Sequence, residues 1–205
     1  MSIKNICVYC GSSPGSDPAY LQAAHALGQE IARRQLTLVY GGSSVGLMGE
    51  VARTALEGGS HVIGVIPKSL ADQEIAFYEL CELKIVNSMH ERKALMADLS
   101  DAFVTMPGGF GTFEEFFEIL TWTQLGLHTK PSGLLNINGY YDQLLAFLEQ
   151  AVDQNFVHHA HLEMIRVFQD PVELLTHLNT YRPPKGNKAE WVHGLSKNPP
   201  ISDRS

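Results

Sequence analysis

Apolar residues along this chain occur in two arrangements: short unbroken runs, and longer stretches where they recur every three or four positions. The unbroken runs read as strands buried on both faces, and the spaced ones as helices with one apolar stripe. Strands are predicted over Ile3 to Tyr9, Leu36 to Tyr40, His61 to Ile66, Leu80 to Val86, Ala102 to Met106, Gly133 to Ile137 and Met164 to Phe168. The first helix starts with Asp17 as cap and Pro18 at its first position, and turns Leu21, Ala24, Leu27, Gly28 and Ile31 inward. Further helices are predicted over about Leu47 to Glu57, Met89 to Leu99, Thr112 to Leu125, Tyr140 to Gln154 and Pro171 to Leu178. Lys68 to Tyr78 fits neither period.

Strands alternating with helices imply an α/β domain with a mainly parallel sheet covered on both faces, because each parallel return needs a crossover. Ligands of such sheets bind beyond the carboxyl ends of the strands. Loops rich in glycine leave strand ends after Tyr9, Tyr40 and Met106. Their convergence places one site along one edge and brings in Gly11, Ser12 and Gly42. A chain of 205 residues fits one domain, expected over 1–182. Beyond Arg182 the chain turns polar, with Pro183-Pro184 and Pro199-Pro200, so 183–205 is expected to be a poorly ordered tail.

Charge narrows the partners. The net charge is −7 with no dense Lys/Arg stripe, which argues against DNA or RNA but leaves room for a small anion at a local positive site. No signal peptide pattern and no apolar stretch of ~20 residues is visible, so no membrane partner and a cytoplasmic location are expected. Cys7 and Cys10 match C-x-x-C, yet positions three apart on a strand point to opposite faces, which opposes a redox pair or half a zinc site. His158-His159-Ala160-His161 lacks a nearby Cys, Asp or Glu to complete a metal site, and no metal is expected.

The richest chemistry lies in Pro107-Gly108-Gly109-Phe110-Gly111-Thr112-Phe113-Glu114-Glu115. Gly108, Gly109 and Gly111 let backbone amides approach a ligand, and Thr112 adds a hydroxyl where a helix begins. The loop is neither a Walker motif nor the G-x-G-x-x-G dinucleotide fingerprint. The same letters also spell a tight turn with a Thr112/Glu115 capping box. Carboxylates repel phosphate, so Glu115 calls for a ligand that also offers a sugar or a developing cation; a ribose 5-phosphate moiety fits. Glu114 reads as a solvated first-turn charge. In His90-Glu91-Arg92-Lys93 two cations oppose the helix dipole, which favours an anionic partner, and Arg92 suits phosphate or ribose oxygens. Trp122 and Leu125 fall on core or dimer-interface positions.

These residues resemble the Lonely Guy family, the cytokinin riboside 5′-monophosphate phosphoribohydrolases, also labelled lysine decarboxylase-like proteins. The resemblance runs from about Ile6 to Leu178. It rests on Tyr40 to Gly49, Met89 to Ala94, Pro107 to Glu115 and Thr121 to His128. It implies a Rossmann-like, three-layer homodimer that hydrolyses the bond between adenine and ribose 5-phosphate in N6-prenylated AMP, and often in AMP. It further implies catalysis by Arg92 and Glu115. Phosphate binding would fall to Gly108, Gly109, Gly111 and Thr112, and nucleotide contacts to Glu74, Met89, Lys93 and Thr121. No metal or organic cofactor is implied. Ser43-Ser44 and Arg53 depart from the family pattern and leave details of the pocket open. Two other classes fit the same letters: a carrier of a nucleotide or cofactor, and a decarboxylase with Lys93 as the pyridoxal lysine.

Overall fold

Strands β1 (Asn5–Tyr9), β2 (Thr37–Tyr40), β3 (Val62–Pro67), β4 (Glu82–Val86), β5 (Ala102–Thr105), β6 (Ser132–Leu135) and β7 (Arg166–Phe168) form one sheet. All pairings are parallel, in the order β4-β3-β2-β1-β5-β6-β7. The computed structural model describes residues 3–182, except the side chains of Glu74 and Ile75; the predicted tail lies outside the described residues. Helices α1 (Pro18–Arg33), α2 (Gly46–Glu57), α3 (Lys68–Leu70), α4 (Met89–Leu99), α5 (Phe110–Gln124), α6 (Asp142–Asp153), α7 (His159–Leu162) and α8 (Pro171–Thr180) complete it. None of the described helices is long and apolar enough to cross a membrane.

The two-residue period of the strands divides the core into two layers. Ile6, Val8, Leu38, Tyr40 and Val104 pack under Leu27 and Ile31 of α1, Val51 of α2 and Leu174 of α8. Cys7, Tyr9, Val39, Val65 and Phe103 face the other way, against Met96 of α4 and Ile119 of α5. Each fully buried Leu or Ile contributes ~1.5–3 kcal/mol, so the central strands anchor the fold. Cys10 belongs to the first layer and Cys7 to the second, so the two free thiols lie on opposite faces.

Three local readings are corrected and one open stretch is filled. Leu21 is 37% exposed rather than inward, and Ala23 and Ala24 fill that part of the α1 stripe. Helix α5 begins at Phe110, not Thr112: extended Gly109 takes the N-cap with no side-chain bond, so Thr112 forms no capping box. Strand β6 stops at Leu135, because the Asn136 side chain takes over, accepting from the Tyr141 amide at 2.7 Å and donating to Asp142 at 2.7 Å. Lys68 to Tyr78 becomes α3 and a π-helical turn over Ala71–Ile75. What defines it is tertiary: an antiparallel bridge from Ala76 to Ser43, and the Phe77 amide donating to Gly42 at 2.9 Å.

Strand β1 lies between β2 and β5, so the chain leaves it in opposite directions and a crevice opens at their carboxyl ends. The β5 end is fixed from below by Tyr141, whose buried hydroxyl donates to the Met106 carbonyl at 2.7 Å. Tyr141→Phe leaves that buried carbonyl unpaired and should cost about 1–3 kcal/mol. A lower urea midpoint at unchanged slope checks this; an unchanged midpoint refutes it.

Candidate active site

At the crevice the first and third glycine loops touch. The Gly11 amide donates to the Pro107 carbonyl at 3.0 Å, and the Gly11 carbonyl accepts from Met48 of α2 at 3.2 Å. A Cβ at Gly108 would stand 2.2 Å from Thr112 Oγ1 and 2.8 Å from the Gly11 nitrogen, so only glycine allows this approach. Above the contact is a cavity of about 310 Å³ lined by Gly11, Ser12, Ser13, Pro14, Gly15, Tyr20, Leu47, Pro107, Gly108, Gly109 and Tyr140. The amides of Phe110, Gly111 and Thr112 precede the first intrahelical donor, Phe113, at the positive end of α5. A Cβ at Gly109 or Gly111 would meet no protein atom, so packing within the chain does not require glycine there. That combination suits phosphate.

Beside this cradle, α4 and α5 bring Arg92 and Glu115 to the ends of β1 and β2. Helix α4 is started by Ser88, whose hydroxyl accepts from the Glu91 amide at 3.1 Å, while Glu91 accepts from the Asn87 amide at 2.8 Å. Arg92 is 7% exposed and donates from Nη2 to the Gly41 carbonyl at 3.3 Å and from Nη1 to Met89 Sδ at 3.7 Å. A Cβ at Gly41 would lie 2.0 Å from Arg92 Nη2, so glycine makes room for the guanidinium. Arg92 Nε is buried with no hydrogen-bond partner among the described residues. A buried cationic donor left unpaired is unfavourable, and an anionic ligand would satisfy it.

Glu115 is 6% exposed. Burial raises its carboxyl from the ordinary 4.5 to about 7; Arg92 and Lys93 oppose the rise, while Glu114 and Glu118 add to it. A carboxyl near 7 is divided between its two forms at neutral pH, as acid–base chemistry requires. Lys93 is also buried, and its ammonium donates to Glu114 at 2.7 Å and to Glu118 at 3.1 Å. Burial alone would lower the Lys93 pKa, but the two carboxylates outweigh it and the net shift is upward. Glu114 is thus paired, although its side chain is 58% exposed.

Of the remaining expected contacts, Gly11, Ser12, Gly108 and Gly109 line the cavity, and Thr112 lies against Gly108. Gly42 holds the Phe77 segment through its carbonyl, and Met89 lies against Arg92. Thr121 faces a separate apolar groove with Phe117, Leu120, Gln124 and Leu148. The backbone of Glu74 lies in the π-helical turn, and its side chain is outside the described residues. Two groups escaped sequence reasoning. Tyr140 donates to the Gly108 carbonyl at 2.6 Å and meets Tyr20 edge-on at 5.7 Å. The available signal was Gly139-Tyr140-Tyr141, standing just past a fourth strand end. Among the described residues no group of three His, Cys, Asp or Glu could hold a metal ion.

The raised Glu115 pKa carries a stability consequence. An acid whose folded pKa lies above its unfolded value disfavours the native state once ionised. The penalty is absent below about 4.5, grows as pH rises towards about 7, and reaches roughly 3 kcal/mol beyond it. Glu115→Gln should therefore raise the melting temperature near pH ~8, with the gain vanishing near pH ~4. Equal gains at both pH values, or none, would remove Glu115 as a strained carboxylate.

Comparison with known proteins identifies the family. The family described as "Possible lysine decarboxylase" matches residues 48–178. A cytokinin riboside 5′-monophosphate phosphoribohydrolase of Arabidopsis thaliana is 50% identical over 180 residues, covering 88% of this chain and 83% of the relative. A second Arabidopsis thaliana enzyme of that name is 48% identical, covering 88% and 84%. Among solved structures, the molybdenum cofactor carrier protein of Chlamydomonas reinhardtii superposes with a TM-score of 0.65 at 22% identity, covering 86% of this chain and 96% of its own. The molybdenum cofactor binding protein of Rippkaea orientalis gives 0.64 at 22%, covering 86% and 98%. At that identity the likeness is one of fold.

Proposed function

The chain belongs to the family of the cytokinin riboside 5′-monophosphate phosphoribohydrolases, and from that premise we propose how its own residues hydrolyse the N-glycosidic bond of an N6-prenylated AMP, with AMP as a second substrate. The observation that carries the reading is a buried carboxyl, Glu115, poised near neutrality beside Arg92 and one turn from a phosphate cradle. The 5′-phosphate sits on the amides of Phe110, Gly111 and Thr112, with Gly11, Ser12, Gly108 and Gly109 walling the pocket. Arg92 holds the nucleotide through its spare donors. As the bond from C1′ to the base breaks, its electron pair leaves with the base, which takes up a proton from solvent, and Glu115 later returns to solvent the proton it gains. The Glu115 carboxylate stabilises the cationic sugar and accepts a proton from water, whose oxygen bonds to C1′. The products are free base and ribose 5-phosphate.

The decarboxylase alternative is disfavoured by the surroundings of its lysine. The Lys93 ammonium is held by two carboxylates and does not line the glycine-loop cavity, which disfavours it as a Schiff-base lysine. Met89, Glu74, Gly42 and Thr121 are assigned to the nucleotide as part of this reading, whereas the Lys93 ammonium is engaged by Glu114 and Glu118. A homodimer is supported by Leu125 and Leu127, 50% and 68% exposed at the end of α5. Two buried free thiols suit a reducing cytoplasm.

The test is to incubate the protein with AMP and with isopentenyladenosine monophosphate and to follow free base by chromatography. Base should appear, and Glu115→Gln should lower kcat by roughly 10²–10⁴-fold. Nucleotide bound without release of base would instead make the protein a carrier. Because the ionised carboxylate is the working form, kcat/KM should rise with pH through about 7. A fall over the same range would assign Glu115 to protonating the leaving base.

A further inference from the structure

Lys93 follows Arg92 in α4, so their side chains leave the helix about 100° apart. Arg92 reaches back to the Gly41 carbonyl, while Lys93 reaches across to α5. Glu114 and Glu118 stand four residues apart on one face of α5, and the Lys93 ammonium bridges both, at 2.7 and 3.1 Å. Lys93 does not line the glycine-loop cavity. Within electrostatic reach of Glu115 are Cys7, Tyr9 and Cys10 of β1 and its loop, kept neutral by burial, then Arg92 and Lys93 from α4, and Glu114 and Glu118 from α5. Without Lys93, three carboxyl groups would face the one guanidinium.

We propose that Lys93 is a positioning residue rather than a nucleotide contact: its bridge to Glu114 and Glu118 locks α4 to α5 and neutralises the acids flanking Glu115, keeping Glu115 ionisable against Arg92. The bridge acts twice. It fixes the relative placement of the two helices that carry the reacting pair, and it cancels a field that would otherwise hold Glu115 protonated. The inference rests on the hydrolytic role given to Glu115, but the bridge itself can be tested without turnover.

The experiment is a carboxyl ¹³C titration of the free protein labelled at glutamate, with the Glu115 resonance assigned through Glu115→Gln. Wild-type Glu115 should titrate near the value of about 7 set by its surroundings. Lys93→Met should raise that midpoint by about one pH unit. Adding Glu114→Gln and Glu118→Gln to Lys93→Met should bring it back. The acid limb of kcat/KM should move in parallel. At pH ~7 the ionised fraction then drops from about half to about a tenth, a roughly fivefold loss of kcat with KM nearly constant. If Lys93→Met does not fold, folding of the triple variant with a wild-type Glu115 midpoint supports the bridge, and a displaced midpoint overturns it. An unmoved midpoint in Lys93→Met also overturns it, as does a triple variant with a raised KM for AMP, which would make Lys93 a substrate contact. Absence of hydrolysis in the wild-type protein would count against the enzymatic reading and leave the titration to decide the role of Lys93.

Discussion

A carboxyl group placed in the interior of a protein is held there against the preference of its charge for water. Glu115 is such a group, and the guanidinium of Arg92 is the largest influence that keeps its ionised form accessible. Desolvation prevails by a margin small enough to leave the acid near neutrality. Much of the surrounding architecture serves that balance. Gly41 gives up its side chain so that the guanidinium fits, and Ser88 fixes the helix that delivers it. Extended Gly109 lets α5 begin early enough to carry both free amides and Glu115 within two turns.

The sheet supplies the frame for this balance. Because β1 sits between β2 and β5, three loops that are distant in sequence are gathered at one rim. Two of them touch directly, through Gly11 and Pro107, and the third accepts the guanidinium through Gly41. The central strands are fully buried, so this rim has a rigid base, and the loops have little room to trade places.

The parallel architecture was legible in the sequence because unbroken runs such as Val62 to Ile66 and Ala102 to Met106 can be covered only on both faces. The glycine loops and Asp17-Pro18 were legible because each spells a local backbone requirement. Legibility ended where long-range partners decide. The Ala71–Ile75 turn has no period of its own and is ordered against Ser43 and Gly42. The start of α5 was misplaced because a threonine looked like a cap where a glycine served. Arg92 and Glu115 could be named from their motifs, but not their burial. Lys93 read as a cation seeking an anionic ligand, because its actual partners, Glu114 and Glu118, lie some twenty residues further along the chain.

The adjacent tyrosines of the turn after β6 carry a different kind of consequence. Tyr141 holds the Met106 carbonyl from within the core, and Tyr140 holds the Gly108 carbonyl at the surface. The glycine loop therefore takes its rigidity from a neighbouring turn. On warming, the outer of these two fastenings is the first open to competition from solvent, well before the sheet loosens. Such a turn works as a thermal fuse: catalysis would fade over a range in which the far-ultraviolet spectrum still reports an intact fold. Reinforcing this turn, rather than the core, would then lengthen the working life of the protein at high temperature.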